Sequence, residues 1–84
     1  MELKELRNQI DLIDKEMATL FEQRMEIVKK IGDYKKENNL PILDANREKE
    51  VIQKNSSYIT NEEIIPLYQE FLIHLMNLAK KNEK

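Results

Sequence analysis

The residues of this sequence best suited to chemistry are its few arginines and one lysine. Only three arginines occur among fourteen basic residues: Arg7, Arg24 and Arg47. Arg24 interrupts an apolar run, where a guanidinium group is costly to bury unless it faces a partner or a wet cavity. Lys35 follows eleven residues later, which at about 100° per residue returns to nearly the same helix face. Arg24 and Lys35 are therefore predicted to bracket one small anion.

A second polar cluster is formed by Asp44, Arg47 and Glu48. Their i, i+3, i+4 spacing puts them on one face at the start of a helix. Arg47 would stand in the first turn, where a cation opposes the helix dipole. An unfavourable placement of this kind, with no evident gain in stability, indicates a functional site. The alternative is that Asp44 and Glu48 simply neutralise Arg47.

Arg7 cannot reach the anion bracketed by Arg24 within one chain. It lies seventeen residues earlier, about 25 Å along a helix and roughly 100° around it. In an antiparallel pair of long helices, however, Arg7 of one chain approaches the other chain and completes the site. Cationic donors and carboxylates without a nucleophile suit positioning and electrostatic stabilisation of a reaction within one bound anion.

Composition excludes several other classes of protein. The 84 residues contain no Cys and one Gly, which excludes disulfide scaffolds, thiol enzymes, Cys-ligated zinc modules and Gly-rich phosphate loops. The net charge of −2 lacks the footprint of a nucleic-acid binder. No apolar run could span a membrane and no signal peptide opens the chain. We expect one cytoplasmic domain, residues 1–84, without nucleic-acid or membrane partners.

The first helix is predicted to run without interruption from about Glu2 to about Asn38. Its apolar residues recur at spacings of three, four or a full turn more, the pattern of an amphipathic helix. Gly32 is the one residue that disfavours it, at a cost of about 1 kcal/mol relative to Ala. Its presence indicates either close backbone packing or a slightly early end.

Two shorter helices follow the break at Pro41. Asp44 is predicted to cap a helix over residues 45–54. Thr60 to Glu63 has the spacing of a capping box, which predicts a third helix to about residue 81. Pro66 either kinks this helix or marks its true beginning. The charged tail over residues 80–84 is expected to fray.

The long first helix is too long for a compact monomer. About 35 helical residues make a rod of roughly 52 Å, whereas a compact chain of this size has a radius of gyration near 12 Å. The apolar stripe continues along almost the whole rod, and two shorter helices cannot cover it. The fold class predicted is therefore all-α, with three helices per chain in an intertwined homodimer.

These residues resemble the all-helical, type II class of chorismate mutase. The spacing agrees without a gap from Arg7 to Glu48, about half of the chain. The resemblance is carried by Leu6-Arg7, the stretch Ile10 to Asp14, Glu22-Gln23-Arg24, Lys35, Pro41 and residues 44–48. All three arginines fall on positions that the family uses in its site.

The resemblance implies the Claisen rearrangement of chorismate to prephenate, without a cofactor or metal, in the shikimate pathway to phenylalanine and tyrosine. Arg24 and the partner chain's Arg7 would clamp the two substrate carboxylates, and Lys35 would donate to the ether oxygen. Glu48 and Asp44 would engage the ring hydroxyl, with Arg47 supporting them. The catalytic set implied is Arg24, Lys35 and Glu48, and a partner enzyme of the same pathway is a further expected partner.

The third helix departs from the family pattern. Alignment on Tyr68 puts Leu75 where a Ser is usual and Ala79 where a Gln usually donates to the ether oxygen. The loss of one such donor predicts weak catalysis, since each can contribute about 10²-fold or more. Three alternatives stay open: an isochorismate pyruvate-lyase, a weakly active or non-catalytic regulatory dimer of the aromatic pathway, and a plain dimerisation module. The last leaves Arg24 unexplained.

Overall fold

The computed structural model describes residues 2–84 and is all-α in that range. Helix α1 spans Leu3–Glu37, α2 spans Ala45–Ser56 and α3 spans Ile65–Glu83, with a short 3-10 turn at Glu62–Ile64 before α3. The prediction of one long helix followed by two shorter ones is confirmed. No helix within residues 2–84 has the length and apolar character needed to cross a membrane.

Helix α1 ends where the sequence supplies a residue that tolerates a left-handed backbone. Asn39 has φ 54°, a conformation that Asn adopts more readily than most residues. The turn lets the backbone N–H of Leu40 donate to the carbonyl of Lys35 at 2.8 Å. Pro41 then prevents the helix from resuming. Lys35 is thereby fixed in the last turn of α1, next to the loop.

Helix α2 begins as predicted. The carboxylate Oδ1 of Asp44 accepts a hydrogen bond from the backbone N–H of Arg47 at 3.0 Å, which satisfies one of the free N–H groups of the first turn. The helix continues to Ser56, two residues beyond the predicted end. Glu48 follows in the first turn of this helix.

The predicted capping box before α3 is wrong. Asn61, not Thr60, supplies the cap, because its Oδ1 accepts from the backbone N–H of Glu63 at 3.1 Å. The turn closes as a separate 3-10 segment, and Pro66 lies in the first turn of α3, where its missing N–H leaves no hydrogen bond unmade. Of the two alternatives for Pro66, the true beginning is therefore correct and the kink is not.

The expectation that residues 80–84 fray is also wrong. Helix α3 continues to Glu83, whose residue surface is only 7% exposed. The side-chain amide of Asn82 donates to the carbonyl of Met25 at 2.9 Å, and the Glu83 carboxylate pairs with Lys35. These contacts dock the last turn of α3 on α1, and tertiary docking overrides the tendency of an isolated helix end to fray.

Helix α3 is the element on which the other two rest. It packs against both α1 and α2, whereas the backbones of α1 and α2 do not approach each other within 8 Å in residues 2–84. Helix α3 runs antiparallel to α2. Ser56, the last residue of α2, accepts a hydrogen bond from Gln69 early in α3, whereas Glu48 at the start of α2 pairs with Lys80 near the end of α3. The relative positions of α1 and α2 therefore depend on α3.

The apolar core of one chain is small. Within residues 2–84 the buried apolar side chains are Val28, Leu72 and Met76. The chain extends over 54 × 25 × 16 Å, in agreement with the predicted rod. Most of the apolar stripe on α1 is exposed, including Ile13 at 54% and Leu20 at 61%. An apolar surface this long is typical of an interaction surface.

Gly32 is buried because the end of α3 occupies the space that a side chain would need. A Cβ at this position would lie 2.5 Å from the backbone oxygen of Glu83 and 2.7 Å from its Cα. We expect Gly32→Ala to lower the free energy of unfolding by about 1–3 kcal/mol, since overpacking exceeds the gain in helix propensity. Denaturant unfolding measures this effect.

Asp33→Ala is the matched control for Gly32→Ala, because Asp33 is exposed on the same turn. It introduces the same side chain without the clash, so its free energy of unfolding should stay close to that of the parent chain. A Gly32→Ala chain as stable as this control would contradict the close approach of the two helices.

Candidate active site

Lys35 is held at the junction of α1, the following loop and the end of α3. Its Nζ donates to the carbonyl of Ile42 at 2.8 Å and to Oε1 of Glu83 at 2.9 Å. The two side chains of the ion pair are 18% and 9% exposed. A half-buried ammonium group with two oxygen partners is fixed in position, as a group that must donate to one substrate atom needs to be.

Arg24 lies on the same helix and carries a free donor. Its Nη1 is buried and has no hydrogen-bond partner within residues 2–84. A buried donor without an acceptor costs about 1–3 kcal/mol, and more when charged. Buried polar groups left without a partner are rare in native proteins. An acceptor from outside this chain, such as a carboxylate, would satisfy the guanidinium group.

Arg24 stands at the edge of an apolar groove between α1 and α3. The groove has a volume of about 770 Å³, and its lining includes Phe21, Arg24, Tyr68, Phe71 and Leu75. The rings of Tyr68 and Phe71 stack at 6.0 Å. The groove is continuous with the exposed apolar stripe of α1. This apolar side of α1 beside the guanidinium group is therefore uncovered in the single chain.

Glu48 faces α3 and is paired with a lysine that sequence reasoning missed. Its Oε2 lies 3.0 Å from Nζ of Lys80, and the two side chains are 29% and 28% exposed. Lys80 belongs to the tail that was expected to fray. No local pattern indicated this pair, because its two members lie 32 positions apart in the sequence.

The side chains of Asp44, Arg47 and Glu48 do not form the single cluster that their spacing on one helix face predicts. The Arg47 guanidinium is 63% exposed and lies 3.4 Å from Glu50. Asp44 is exposed, and its Oδ1 caps the backbone of α2. The interpretation that Asp44 and Glu48 neutralise the Arg47 side chain is therefore wrong for this chain.

Arg7 is exposed on the first turns of α1 and makes no hydrogen bond or ion pair in the part of the chain that is described. Its offset of seventeen positions from Arg24 corresponds to about 25 Å along the helix. Arg7 therefore does not reach the site of its own chain. Residues 2–84 also contain no group of three or more His, Cys, Asp or Glu that could hold a metal ion.

Comparison with known families assigns the fold. The family model described as "Chorismate mutase type II" matches residues 6–83, nearly the whole chain. The chain belongs to the chorismate mutase type II family. The family indicated by the resemblance over residues 7–48 is thus confirmed.

Relatives of this chorismate mutase-type chain are found in larger proteins. The "Bifunctional chorismate mutase/prephenate dehydratase" of Aquifex aeolicus is 35% identical over 88 residues, covering 95% of this chain and 24% of that protein. The "T-protein" of Haemophilus influenzae is 41% identical over 51 residues, covering 61% of this chain and 14% of that protein. The chain thus spans a quarter or less of the length of these relatives.

A solved structure shares the fold along its whole length. It is a conserved hypothetical protein from Pyrococcus furiosus, with a TM-score of 0.73 and 35% sequence identity. The match covers 98% of this chain and 95% of that chain. The three-helix arrangement is therefore found in another chain of almost the same length.

The end of α3 brings Glu83, rather than Ala79, into contact with Lys35. Ala79 was aligned with the residue that completes the donor set beside Lys35, but the side chain in contact with Lys35 is Glu83, four residues later. Leu75 lines the apolar groove. The prediction of weak catalysis from Leu75 and Ala79 stays a prediction.

Proposed function

We propose that the chain catalyses the rearrangement of chorismate to prephenate. The observation that carries the proposal is the buried Nη1 of Arg24, which has no acceptor among residues 2–84, on the same helix as the fixed ammonium group of Lys35. Both cations lie in a chorismate mutase type II fold. Chorismate carries two carboxylates, an ether oxygen and a ring hydroxyl, which match the groups available here.

The reaction needs positioning and charge stabilisation rather than a nucleophile. One carbon–oxygen bond breaks and one carbon–carbon bond forms within the same molecule, so no proton or electron has to be exchanged with the protein. Negative charge develops on the ether oxygen as its bond breaks. Lys35 donates to that oxygen, and Arg24 holds a carboxylate so that the reacting carbons meet.

The remaining carboxylates of the site orient the substrate ring. Glu48 accepts a hydrogen bond from the ring hydroxyl, and Asp44 contributes from the start of α2. Arg47 supports these two carboxylates after its exposed side chain breaks its ion pair with Glu50 and turns toward them. Support for this arrangement comes from Glu48, which lies beside α3 with its carboxylate held at one oxygen.

A second copy of the chain completes the site. The exposed apolar stripe of α1 and the groove beside Arg24 need a cover, and an identical stripe is the simplest complementary surface for a twofold dimer. Antiparallel pairing of the long helices brings Arg7 of one chain to Arg24 of the other. Arg7 then binds the second carboxylate of the substrate.

The proposed product suggests the setting in which the chain acts. One relative combines chorismate mutase with prephenate dehydratase in its name, so that relative consumes the product of the reaction proposed here. We expect a partner enzyme of the aromatic pathway that takes up prephenate, and a cytoplasmic location.

Direct assay tests the proposed activity. Purified chain is incubated with chorismate, and loss of chorismate and formation of prephenate are followed by chromatography. Isochorismate is tested in parallel. Prephenate formation supports the proposal, absence of turnover contradicts it, and release of pyruvate from isochorismate alone would assign the lyase instead.

Sedimentation equilibrium tests the dimer. We expect a mass of two chains at working concentrations and a midpoint of thermal unfolding that rises with chain concentration. A stable, well-folded monomer contradicts both the dimer and the placement of Arg7 across the interface.

Replacement of Glu83 by Gln is expected to improve substrate binding. Glu83 places a negative charge beside Lys35, in a site proposed for a dianion, and Gln keeps its shape while removing the charge. We expect KM for chorismate to fall by about threefold to tenfold at low ionic strength, an effect that salt weakens. Glu70→Gln, on the exposed side of α3, is the matched control. An unchanged or higher KM for Glu83→Gln contradicts this prediction.

A further inference from the structure

The proposed site is divided between two helices whose backbones do not approach each other closely. Lys35 and Arg24 belong to α1 and Glu48 belongs to α2, and the backbones of α1 and α2 stay more than 8 Å apart in residues 2–84. Both helices pack on α3. The distance between the ammonium group of Lys35 and the carboxylate of Glu48 is therefore set by α3 together with the loop over residues 38–44, where the Ile42 carbonyl accepts from Lys35.

The last turn of α3 makes both connections. Glu83 pairs with Lys35 of α1 at 2.9 Å, and Lys80 pairs with Glu48 of α2 at 3.0 Å. Helix α3 supplies the anion of the first pair, Glu83, and the cation of the second pair, Lys80. The three-residue spacing puts both α3 side chains on neighbouring positions of one face.

The surroundings make the pair of Lys80 and Glu48 more than a solvated contact. Both side chains are less than a third exposed, whereas the Arg47–Glu50 pair on the same helix is mostly in solvent. The ion pair engages Oε2 of Glu48, and within the described residues Oε1 has no hydrogen bond. One oxygen is thus fixed while the other is available to a ligand.

We propose that Lys80 is a positioning residue, which holds the carboxylate of Glu48 in register with Lys35. This inference rests on the proposed function. Lys80 acts on the substrate only through Glu48, which uses its second oxygen to accept from the ring hydroxyl. The end of α3 is anchored for this task by the bond from Asn82 to the carbonyl of Met25.

A double-mutant cycle tests the proposal. Lys80→Met keeps the length of the side chain and removes its charge, and we expect kcat/KM for chorismate to fall by about threefold to tenfold, the effect of losing one half-buried ion pair. Lys80→Arg should recover most of that loss. In a Glu48→Gln background, Lys80→Met should cause no further loss, since the carboxylate it positions is gone.

The control is Lys81→Met, because Lys81 is the exposed neighbour of Lys80. Its kcat/KM should equal that of the parent chain, and circular dichroism verifies the fold of each variant. If Lys80→Met does not fold, Lys80→Gln replaces it in the cycle. Folding is thereby separated from positioning.

Three results would overturn the proposal. The first is an unchanged kcat/KM in Lys80→Met. The second is an equal loss in the parent and Glu48→Gln backgrounds, which would make Lys80 a direct ligand of the substrate. The third, a parent chain that does not convert chorismate, contradicts the proposed function itself and is identified before any variant is compared.

Discussion

Arg24→Met should remove almost all chorismate turnover and leave the fold intact. Arg24 offers a buried donor with no acceptor within residues 2–84, so the proposed substrate carboxylate is the partner that its loss removes. We expect kcat/KM to fall by about 10³-fold, the upper range for one preorganised donor. The free energy of unfolding should be unchanged or rise by about 1 kcal/mol, because an unsatisfied buried group has been removed. Steady-state kinetics and denaturant unfolding measure the two effects.

Two further variants separate charge from geometry at this position. Arg24→Lys keeps the charge but loses the planar fork of donors, and should recover only part of the activity. Lys30→Met, an exposed cation on the same helix, should have no effect. An Arg24→Met chain that retains its activity, or one that loses activity because it unfolds, would contradict the role assigned to the guanidinium group.

Mixing two inactive chains should restore activity. Arg7→Ala and Lys35→Ala should each be nearly inactive, since each removes a cation from every site. In a mixed dimer, one site receives Lys35 from one chain and Arg7 from the other, while the second site lacks both. Random pairing makes half of the dimers mixed, so about one quarter of all sites are intact. We expect about one quarter of the parent activity.

The mixing experiment requires verified exchange of subunits. The chains are unfolded together and refolded, and mixed dimers are confirmed with a mass-labelled chain. Refolding each variant alone is the control and should give no recovery. Activity that stays absent in confirmed mixed dimers would place Arg7 outside the site of the partner chain.

The parts of the fold that depend on local rules were predictable from the sequence. Periodic apolar residues defined α1, Pro41 defined its limit, and Asp44 capped α2 as expected. The unusual position of Arg24 was also predictable, because burying a guanidinium group in an apolar stripe has a cost that local structure does not explain, and its Nη1 is buried without a partner within residues 2–84. In each case the signal lies within about one or two helix turns of the residue concerned.

The end of α3 was not predictable by the same rules. A charged tail reads as a frayed helix end unless its partners are known, and the partners of Glu83 and Lys80 lie 48 and 32 positions away along the chain. The register of α3 depends on the space above Gly32, which the helix pattern of α3 does not encode. Long-range contacts therefore decided the part of the site that sequence reasoning missed.

The small interior of the single chain has a consequence for the exchange of chains in the proposed dimer. Within residues 2–84 the buried apolar side chains are Val28, Leu72 and Met76, which is too small a core to stabilise a separated chain. Dissociation of the proposed dimer and global unfolding should then be one event with one rate constant. Exchange of chains between two folded dimers would therefore require that both unfold first.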